Sequence, residues 1–431
     1  METIQDIYNK FMQSTGVCTD TRNIIRGSIF FALKGGNFDG NQFAQQALDE
    51  GCIYAVCDDS SLQNNDKIII VDDALTALQQ LASHHRSKMN RCKWISITGS
   101  NGKTTSKELL ARVLSTQFDV VYTKGNLNNH IGVPLTILSI KNEPDFAIIE
   151  MGANHQGEIR DLMQIAKPNY GYITNFGLAH LEGMGGPEGV VKAKSEMYNF
   201  LRTHSCFAFV NGTDVRMLKQ SEGISRYVFG EAENSNAKIK LLETNPFLKV
   251  SIIFKDRALT TQSSLVGEYN LSNILAAACI GSYFGISDSN ISEAIAQFVP
   301  DNNRSQFIHS EFNDLILDAY NANPSSMEQA IKSFATMKSD KPKILILGAM
   351  MELGDEAAIH HQRILDLALP IDVEHVFTLG ELYPDLPDEK YTHFTSIQSL
   401  IDHLSVNQLR GKLILIKGSR ANQLERIKVL L

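Results

Sequence analysis

Short apolar runs and segments of helical periodicity alternate along most of the 431-residue chain. Near the N-terminus, Gly, Asn and Asp separate the apolar runs "GSIFFAL", "IYAVC" and "KIIIV". These runs precede "ALTALQQLASHHRSK", in which the apolar positions recur with helical spacing. The pattern predicts a small α/β domain over residues 1–88.

A second series of strands and helices begins at Lys93. The predicted strands are "KWISIT", "DVVYT", "DFAIIEMG", "YGYITN" and "CFAFVN", and helical segments follow Lys103, Gly157 and Pro187. Such alternation is typical of a mostly parallel sheet covered by helices. From about residue 222 to 262, "SRYVFG", "KIKLLE" and "LKVSIIF" predict an antiparallel edge before the helix "EYNLSNILAAACIGSYFG". We predict a central domain over residues 89–300.

The polar stretch "VPDNNRSQ", residues 299–306, interrupts the periodicity and is the predicted linker. After it, the apolar runs "LILDAY", "KILILGAM", "VEHVFTLG" and "KLILIKGSR" alternate with helical segments. This pattern predicts a doubly wound, Rossmann-like domain over residues 301–431. The predicted fold class is therefore α/β with three domains: a small N-terminal domain, a central domain with a mostly parallel sheet, and a Rossmann-like C-terminal domain.

Composition narrows the classes of partner. The chain has 40 Lys and Arg against 48 Asp and Glu, a net charge of -8, so no basic excess favours nucleic acid as a partner. The N-terminus has no signal-peptide pattern, and no apolar run reaches about 18 residues, so we expect a cytoplasmic protein without membrane insertion. The six cysteines form no C-x-x-C pair, which argues against zinc and redox motifs.

The stretch "WISITGSNGKTTSKELL" has the pattern of a phosphate-binding loop between a strand and a helix. It is two residues more compact than the common pattern, because Ile97 stands where the first Gly is usually found. Glycines let backbone N–H groups approach an anion, a lysine adds charge, and a threonine hydroxyl can bind Mg²⁺. The predicted phosphate-binding residues are Gly99, Ser100, Asn101, Gly102, Lys103, Thr104 and Thr105.

Polar residues also follow other predicted strands. Glu150 ends the run "FAIIE", where a carboxylate could ligate Mg²⁺ or remain a solvated acid. His180 and Lys194 follow "YGYIT", although a lone His is more often structural and a helix lysine is usually solvated. For Asn128 and Asn129, in "YTKGNLNNHIGVPLTIL", turn formation is the favoured explanation from the residues alone. The common position of Glu150, His180 and Lys194 after strands of one sheet favours a functional site.

Taken together, these residues resemble the Mur ligases, the ATP-dependent amide-forming enzymes of peptidoglycan precursor synthesis. The family's compact loop reads T-G-[ST]-N-G-K-T-[ST], as residues 98–105 do. The blocks are most similar to those of members that join D-alanyl-D-alanine to UDP-N-acetylmuramoyl-tripeptide. The other matching blocks are "TDTR", "ALKGGNFDG", "GNLNNHIGVPLT", "IIEMGANHQGEI", "AHLEGMG", "KAKSEM", "GEYNLSNILAA", "DAYNANPSSM", "LGAMMELGDE" with His361, and "KGSRANQLE".

The resemblance implies ATP and Mg²⁺ as cofactors and assigns roles to the matched positions. The implied catalytic residues are Lys103, Lys194, His180 and Arg304, and the implied metal ligands are Thr104, Glu150, His180 and Lys194. In the family the lysine at the position of Lys194 is carbamylated by CO₂ and bridges metal ions. Further ATP-facing positions are Asn270, Asn273, Arg304, Asp318, Asn321 and Asn323.

Substrate contacts are implied at Asp20, Thr21, Arg22, Asp39 and Gly40 for the UDP-sugar end, and at Asn128 and Asn129. Two positions depart from the family pattern. Asn303 replaces the usual Gly before the hinge arginine, and Asn41 replaces the His that often follows "DG". The first departure bears on the hinge conformation, and the second affects a single contact on the uracil side.

The implied reaction transfers the γ-phosphoryl group of ATP to a carboxylate, and the amine of the dipeptide then displaces phosphate from the acyl phosphate. Closure about residues 299–306 would assemble the site and exclude water. We expect a monomer. The alternatives are another amide ligase, such as the Mur ligase that adds the third residue of the stem peptide or a folylpolyglutamate synthase, and a nucleotide-binding regulatory module without ligase activity.

Overall fold

A computed structural model describes residues 2–301 and 303–431. The first part of the chain confirms the strands and the helix predicted there and adds shorter elements. In chain order these elements are α1 Ile4–Phe11, β1 Val17–Cys18, β2 Ile29–Phe31, β3 Lys34–Gly35, β4 Phe38–Asp39, α2 Ala44–Asp49, β5 Tyr54–Cys57, β6 Ile68–Ile70 and α3 Ala74–Ser87.

The middle of the chain continues the alternation of strands and helices. Its elements are β7 Lys93–Thr98, α4 Lys103–Leu114, β8 Val120–Tyr122, α5 Gly132–Leu138, β9 Phe146–Glu150, α6 Glu158–Ala166, β10 Tyr170–Ile173, α7 Leu181–Met184, α8 Pro187–Thr203, β11 Phe207–Asn211, α9 Val215–Gln220, β12 Ser225–Phe229, β13 Ala237–Thr244, β14 Phe247–Phe254, β15 Ala258–Val266, α10 Leu271–Tyr283 and α11 Asp288–Ala296.

The last part of the chain also alternates strands and helices. Its elements are β16 Gln306–His309, β17 Asp314–Asp318, α12 Pro324–Thr336, β18 Lys343–Gly348, α13 Ala357–Ala368, β19 His375–Leu379, β20 Tyr391–Phe394, α14 Ile397–Val406 and β21 Leu413–Lys417. The predicted α/β class with mostly parallel sheets is confirmed.

The chain forms two compact units. The first comprises Met1–Ile97, Phe118–Ala153 and Gly157–Gly171, and the second comprises Thr98–Gln117, Asn154–Gln156 and Tyr172–Leu431. In the first unit, a parallel sheet has the strand order β1-β2-β5-β6. Strand β9 of the same unit pairs in parallel with both β7 and β8. Glu150 thus ends a strand that has a parallel neighbour on each side.

The second unit corrects one prediction. The segment "SRYVFG" was expected to belong to an antiparallel edge, but β12 pairs in parallel with β11. Only the two strands predicted after it, together with β15, form the antiparallel sheet, in the order β13-β14-β15. Strand β12 lies at an edge and most of its residues are half-buried, as in edge strands of either direction.

The C-terminal sheet has the strand order β16-β17-β21-β18-β19-β20 and is parallel except for β16. Apolar residues of β17, β18, β19 and β21 pack with those of α14 in one buried cluster. The central strands read as continuous apolar runs because both of their faces are covered. The polar residues that follow β17, β18 and β21 consequently lie at the same edge of the sheet.

The predicted linker, residues 299–306, has no regular secondary structure over its described residues before β16 begins. Asn302, which belongs to that prediction, lies outside the described residues. Throughout the described parts of the chain, the helices are too short or too polar to cross a lipid bilayer.

Candidate active site

The predicted phosphate loop connects β7 to α4 in the second unit, and its shape depends on glycine. Gly99 has φ +141°, and a Cβ atom at this position would lie 2.0 Å from Thr174 Oγ1. Gly102 has φ +76° immediately before the helix, and a Cβ atom there would lie 2.6 Å from Asn273 Oδ1. Both conformations are accessible to glycine at little cost. The loop is therefore compact and closely packed against its neighbours.

Lys103 and Thr104 begin α4 directly after the loop. Lys103 Nζ donates hydrogen bonds to the carbonyl oxygens of Gly99 (2.7 Å) and Ser100 (3.1 Å), so its charge lies against the loop. The Thr104 side chain is buried in the first helical turn. A cation and a hydroxyl group at the N-terminus of a helix are suited to phosphate and its associated metal.

Asn101 connects the phosphate loop to two other loops of the second unit. Its backbone N–H donates to Asn175 Oδ1 (3.1 Å), and Asn175 Nδ2 donates to its carbonyl oxygen (2.9 Å). Its side-chain Nδ2 donates to Ser325 Oγ (2.9 Å), and its Oδ1 accepts from Asn323 Nδ2 (2.7 Å). The structure thus brings together two predicted site residues, Asn101 and Asn323, that are far apart in sequence.

Asn270 and Asn273 lie at the start of α10 and are both buried. Asn273 Nδ2 donates to Asn270 Oδ1 (2.8 Å), and Asn273 Oδ1 accepts from Ser106 Oγ (2.9 Å) on α4. Asn270 Nδ2 donates to the carbonyl oxygen of Val266 (2.8 Å). These contacts place the pair beside the phosphate-loop helix, and they also give both amides a structural role there.

His180 precedes α7 with φ +52°, and its Nδ1 lies in hydrogen-bond contact with Glu352 Oε2. Glu352, which follows β18, also has a left-handed backbone, with φ +62°. The hydrogen bond with His180 lowers the pKa of Glu352. The electrostatic influence of His180 and His155 acts in the same direction. Glu352 is therefore a carboxylate that fixes the orientation of the predicted metal-binding histidine.

Lys194 lies on α8 with only 1% of its surface exposed. Lys192, two residues earlier on the same helix, is exposed. Lysine is rarely buried to this extent unless its amine has a specific environment. Among residues 2–301 and 303–431, no group of three or more His, Cys, Asp or Glu residues is arranged to hold a metal ion.

Glu150, at the end of β9 in the first unit, is 1% exposed. Its Oε1 accepts a hydrogen bond from Asn128 Nδ2 (2.8 Å), and its backbone N–H donates to Thr123 Oγ1 (2.9 Å). The carboxylate is thus buried and oriented. The predicted donors Glu150 and Thr104 are a carboxylate and a hydroxyl group, and oxygen donors of this kind fit Mg²⁺.

Asn129, by contrast, has a local structural role. Its Oδ1 accepts from the backbone N–H groups of Ile131 (3.1 Å) and Gly132 (2.8 Å) at the start of α5. This is the turn-forming alternative considered for the asparagine loop. Its substrate contact remains a prediction, whereas Asn128 directly contacts the candidate metal ligand Glu150.

The residues predicted to hold the UDP-sugar end form two local groups. Asp20 and Arg22 make a salt bridge (2.7 Å), and a hydrogen bond from Arg22 lowers the pKa of Asp20 to about 2. Thr21 lies between them in a short 3₁₀ helix. Within the described residues, no hydrogen bond joins this group to Asp39 and Gly40.

Asp39 precedes a second 3₁₀ helix, which begins at Gly40. Asn41, which replaces the family's usual His, is buried. It donates through Nδ2 to Asp39 Oδ1 (2.8 Å) and to Asp58 Oδ1 (2.7 Å). Lys34 Nζ lies 2.8 Å from the same oxygen of Asp58. Asn41 therefore connects two carboxylates in the place where the family's histidine is expected.

Arg304 lies between two residues with left-handed backbone, Asn303 (φ +56°) and Ser305 (φ +49°). Asparagine adopts this conformation more readily than most residues, so Asn303 provides a backbone shape that the family's glycine would also allow. Asp318 Oδ2 lies 2.6 Å from Lys417 Nζ, and Asn321 is exposed in the loop after β17.

Sequence analysis did not identify two residues that the structure places beside the predicted ones. Glu352 contacts His180, and Ser325 contacts Asn101. Glu352 could have been found by the reasoning applied to Glu150, because it too is an acid that closely follows a buried strand. Ser325 had no such signal, because a serine at the start of a helix is common.

A glycine-dependent loop, a lysine and threonine at the following helix N-terminus, and polar groups after parallel strands define an α/β protein of the phosphate-loop nucleotide-binding class. Family models for the Mur ligase family catalytic domain, the Mur ligase middle domain, and the Mur ligase, glutamate ligase domain match residues 13–86, 97–281 and 303–420, respectively. The chain belongs to the Mur ligase family.

Individual relatives are similar over nearly their whole length. The chain is 34% identical to UDP-N-acetylmuramoyl-tripeptide--D-alanyl-D-alanine ligase of Bacillus subtilis (strain 168), over 96% of this chain and 92% of that protein. Identity to the enzyme of the same name from Escherichia coli (strain K12) is 33%, over 99% and 97%. The crystal structure of MurF from Acinetobacter baumannii matches with a TM-score of 0.87 at 29% identity, covering 99% and 98% of the two chains.

Proposed function

We propose that the protein joins D-alanyl-D-alanine to UDP-N-acetylmuramoyl-tripeptide with hydrolysis of ATP, giving UDP-N-acetylmuramoyl-pentapeptide, ADP and phosphate. The phosphate loop with Lys103 and Thr104 is the observation that carries the nucleotide part of this proposal. The choice of substrates is supported by the full-length similarity to ligases of that name. This reaction belongs to peptidoglycan precursor synthesis and so to cell wall biogenesis, on which cell shape and cell division depend.

The chemistry requires activation of a carboxylate, which is a poor acyl donor. A carboxylate oxygen attacks the γ-phosphorus of ATP, the bond to the β,γ-bridging oxygen breaks, and ADP leaves. The dipeptide amine then attacks the carbonyl carbon of the acyl phosphate, loses a proton, and displaces phosphate. Lys103, whose Nζ lies against the phosphate loop, is proposed to offset negative charge on the phosphoryl group. Positioning of the two substrates supplies much of the remaining acceleration.

Mg²⁺ is the proposed metal, with Thr104, Glu150, His180 and Lys194 as its proposed ligands. When bound, it would neutralise charge on phosphate oxygens. Lys194 requires conversion to a carbamate before it can serve as an anionic ligand, which means that its amine must react in the neutral form. The near-complete burial of Lys194 supports this proposal, since burial disfavours a charged ammonium group.

The other roles follow the predicted positions. Arg304, Asp318, Asn321, Asn323, Asn270 and Asn273 are proposed to face ATP or the acyl phosphate. Asp20, Thr21, Arg22, Asp39, Gly40, Asn128 and Asn129 are proposed for the UDP-linked substrate. We propose that residues 1–88 bind the UDP-sugar, that residues 89–300 bind ATP, and that residues 301–431 form the Rossmann-like domain of a cytoplasmic monomer.

Dipeptide-dependent phosphate release tests the proposed activity. The protein is incubated with ATP, Mg²⁺ and UDP-N-acetylmuramoyl-tripeptide, and phosphate is measured with and without D-alanyl-D-alanine. We expect release only when the dipeptide is present, together with formation of the pentapeptide product by mass. Phosphate release that does not depend on the dipeptide would favour another amide ligase or a plain nucleotidase.

Lys194→Ala tests the carbamate proposal. We expect ligation to fall below detection, because a metal ligand is lost, whereas the affinity for ADP changes little because the phosphate loop is intact. Lys192→Ala, which alters an exposed lysine on the same helix, is the control and should retain activity. Full turnover by the Lys194→Ala enzyme would contradict the carbamate role.

A further inference from the structure

Two guanidinium groups flank one aromatic ring in the C-terminal part of the chain. The guanidinium carbon of Arg304 lies 3.8 Å from the centre of the Tyr320 ring, and that of Arg420 lies 5.7 Å from it. The two carbons cannot be farther apart than the sum of these distances. Two cations near one ring give an anion more than one charge-assisted contact at the same place. The arrangement is therefore suited to a negatively charged partner.

The acidic residue nearest to Tyr320 in sequence does not supply this partner. Asp318, two residues before Tyr320, pairs with the buried Lys417 at 2.6 Å. Over residues 2–301 and 303–431, neither Arg304 nor Arg420 has a carboxylate oxygen within salt-bridge distance. The positive charge of this pair is therefore not balanced by an ion pair of its own.

Arg304 also acts electrostatically on Glu108 of α4. Burial raises the pKa of Glu108, and this effect outweighs the opposing influence of Lys107 and Arg304. Glu108 Oε1 also lies 3.5 Å from Lys107 Nζ. Glu108 is thus already paired with a lysine on its own helix, and it does not neutralise Arg420.

The location of the pair is typical of a ligand site. Tyr320 follows β17 and Arg420 follows β21, and these strands pair in parallel, with Asp318 opposite Lys417. Ligands of α/β proteins bind beyond the carboxyl ends of such strands. Asn323, three residues after Tyr320, donates to Asn101 of the phosphate loop (2.7 Å). The loop that carries the ring therefore contacts the phosphate loop.

We propose that Arg420, acting with Arg304, forms a binding site for a substrate oxyanion beside the ring of Tyr320. Arginine presents paired N–H donors that match the oxygens of carboxylates and phosphates, and contact with the ring face orients the guanidinium. This inference rests on the proposed ligase function, in which all three substrates carry such groups; the UDP-sugar end of the linked tripeptide is assigned to residues 1–88, which leaves the dipeptide and ATP as the candidates. The dipeptide has a terminal carboxylate, and ATP has its phosphates.

Arg420→Gln is the test, and Arg410→Gln is its matched control. Arg410 precedes β21, is exposed, and lies 3.8 Å from the centre of the Phe312 ring, so the control removes a similar ring-contacting arginine from the opposite end of the same strand. We expect Arg420→Gln to raise the KM of one substrate about 10- to 100-fold, as the loss of a charge-assisted hydrogen bond does. Arg410→Gln should change neither KM.

Substrate analogues identify the source of the oxyanion. D-alanyl-D-alaninamide lacks the carboxylate, so a dipeptide site predicts that wild type prefers the free acid and that Arg420→Gln loses this preference. A phosphate site predicts instead a higher KM for ATP and weaker ADP binding. The KM of Arg420→Lys for the affected substrate should lie between those of wild type and Arg420→Gln, because lysine keeps the charge but lacks the paired donors. Unchanged KM values for all three substrates would overturn the proposal.

Direct binding separates this proposal from the ligase function. If wild type shows no dipeptide-dependent phosphate release, the proposed function fails, and calorimetric titrations with ADP and with D-alanyl-D-alanine still test the oxyanion site. Weaker binding of either compound to Arg420→Gln, but not to Arg410→Gln, supports the site. Equal affinities in all three proteins reject it.

Discussion

The side chain of Asn101 shows how much depends on a single amide. Its Nδ2 donates to Ser325 Oγ, and its Oδ1 accepts from Asn323 Nδ2, so each end of the amide has a partner of matching polarity. A carboxylate has no donor and an alanine has neither group, so neither could replace it. The backbone of the same residue contacts Asn175. Asn101 therefore fixes the phosphate loop to the start of α12.

Asn101→Ala should reduce the rate of ligation about tenfold or more, because two hydrogen bonds of about 1 kcal/mol each are lost. Ser325→Ala removes one of them. In the double variant the two effects should not add, because both substitutions break the same contact. Initial rates of phosphate release measure this, with Ser405→Ala on α14 as a neutral control. Fully additive effects would show that the contact has no part in turnover.

At the residue scale, sequence reasoning succeeded where the required chemistry is local. The phosphate loop was predictable because a strand, glycines, a lysine and a helix start follow one another within a short stretch. The partnership of His180 with Glu352 was not, because their sequence positions are 172 apart and no local pattern records the contact. The same holds for Arg304, Tyr320 and Arg420, which meet only through the C-terminal fold.

In helix α13, the buried side chain of His361 connects the helix to the segment that follows β18. His361 Nε2 accepts a hydrogen bond from the backbone N–H of Met350 (3.0 Å), after β18. Its Nδ1 therefore carries the proton and donates to the carbonyl oxygen of Ala357 (2.7 Å). The ring also packs edge-on against Tyr383. His361 belonged to a block of family similarity, and these contacts give it a structural role.

His361→Leu should lower the free energy of unfolding by about 1–3 kcal/mol at pH 8, because a buried backbone N–H is left without a partner. Burial lowers the pKa of His361 below its ordinary value of 6.5. As the pH falls below 6.5, the unfolded chain binds a proton that the folded chain does not, and wild type loses stability. The difference in the free energy of unfolding between wild type and His361→Leu should therefore become smaller in acid. Urea denaturation at pH 8 and pH 5.5 measures this difference. A difference that is larger at pH 5.5 than at pH 8 would contradict this account.

At the element scale, the strands and helices with clear periodicity were predictable, and the direction of pairing was less so. Strands β9, β18 and β21 read as continuous apolar runs because both faces are buried. Strand β12 was assigned to an antiparallel edge because it begins the series of short strands after residue 222, yet it pairs in parallel with β11. The two-residue strands β3 and β4 are too short for any periodicity.

At the scale of the whole molecule, the net charge of the chain is opposite in sign to the charge at the phosphate loop. The chain carries a net charge of -8, whereas the substrates proposed for it are themselves anionic. Binding must therefore depend on cations placed locally against the phosphate groups, such as Lys103 at the loop. Composition alone disfavours nucleic acid as a partner but could not reveal these sites, because a few local cations scarcely change the net charge.

ATP with Mg²⁺ should therefore stabilise the folded protein through Lys103. A ligand that binds only the folded state adds about 2.7 kcal/mol at 100 times its Kd. Lys103→Ala should lose most of this stabilisation, and EDTA should reduce it in wild type, because the metal offsets phosphate charge. Lys338→Ala, an exposed lysine elsewhere in the second unit, keeps the same change in net charge and should respond like wild type. Thermal unfolding with and without ATP gives the rise in Tm for wild type, for wild type with EDTA, and for each of the two variants. An equal rise in Tm for Lys103→Ala and wild type would show that the loop lysine does not bind the nucleotide, since any nonspecific effect of the lost charge is matched by Lys338→Ala.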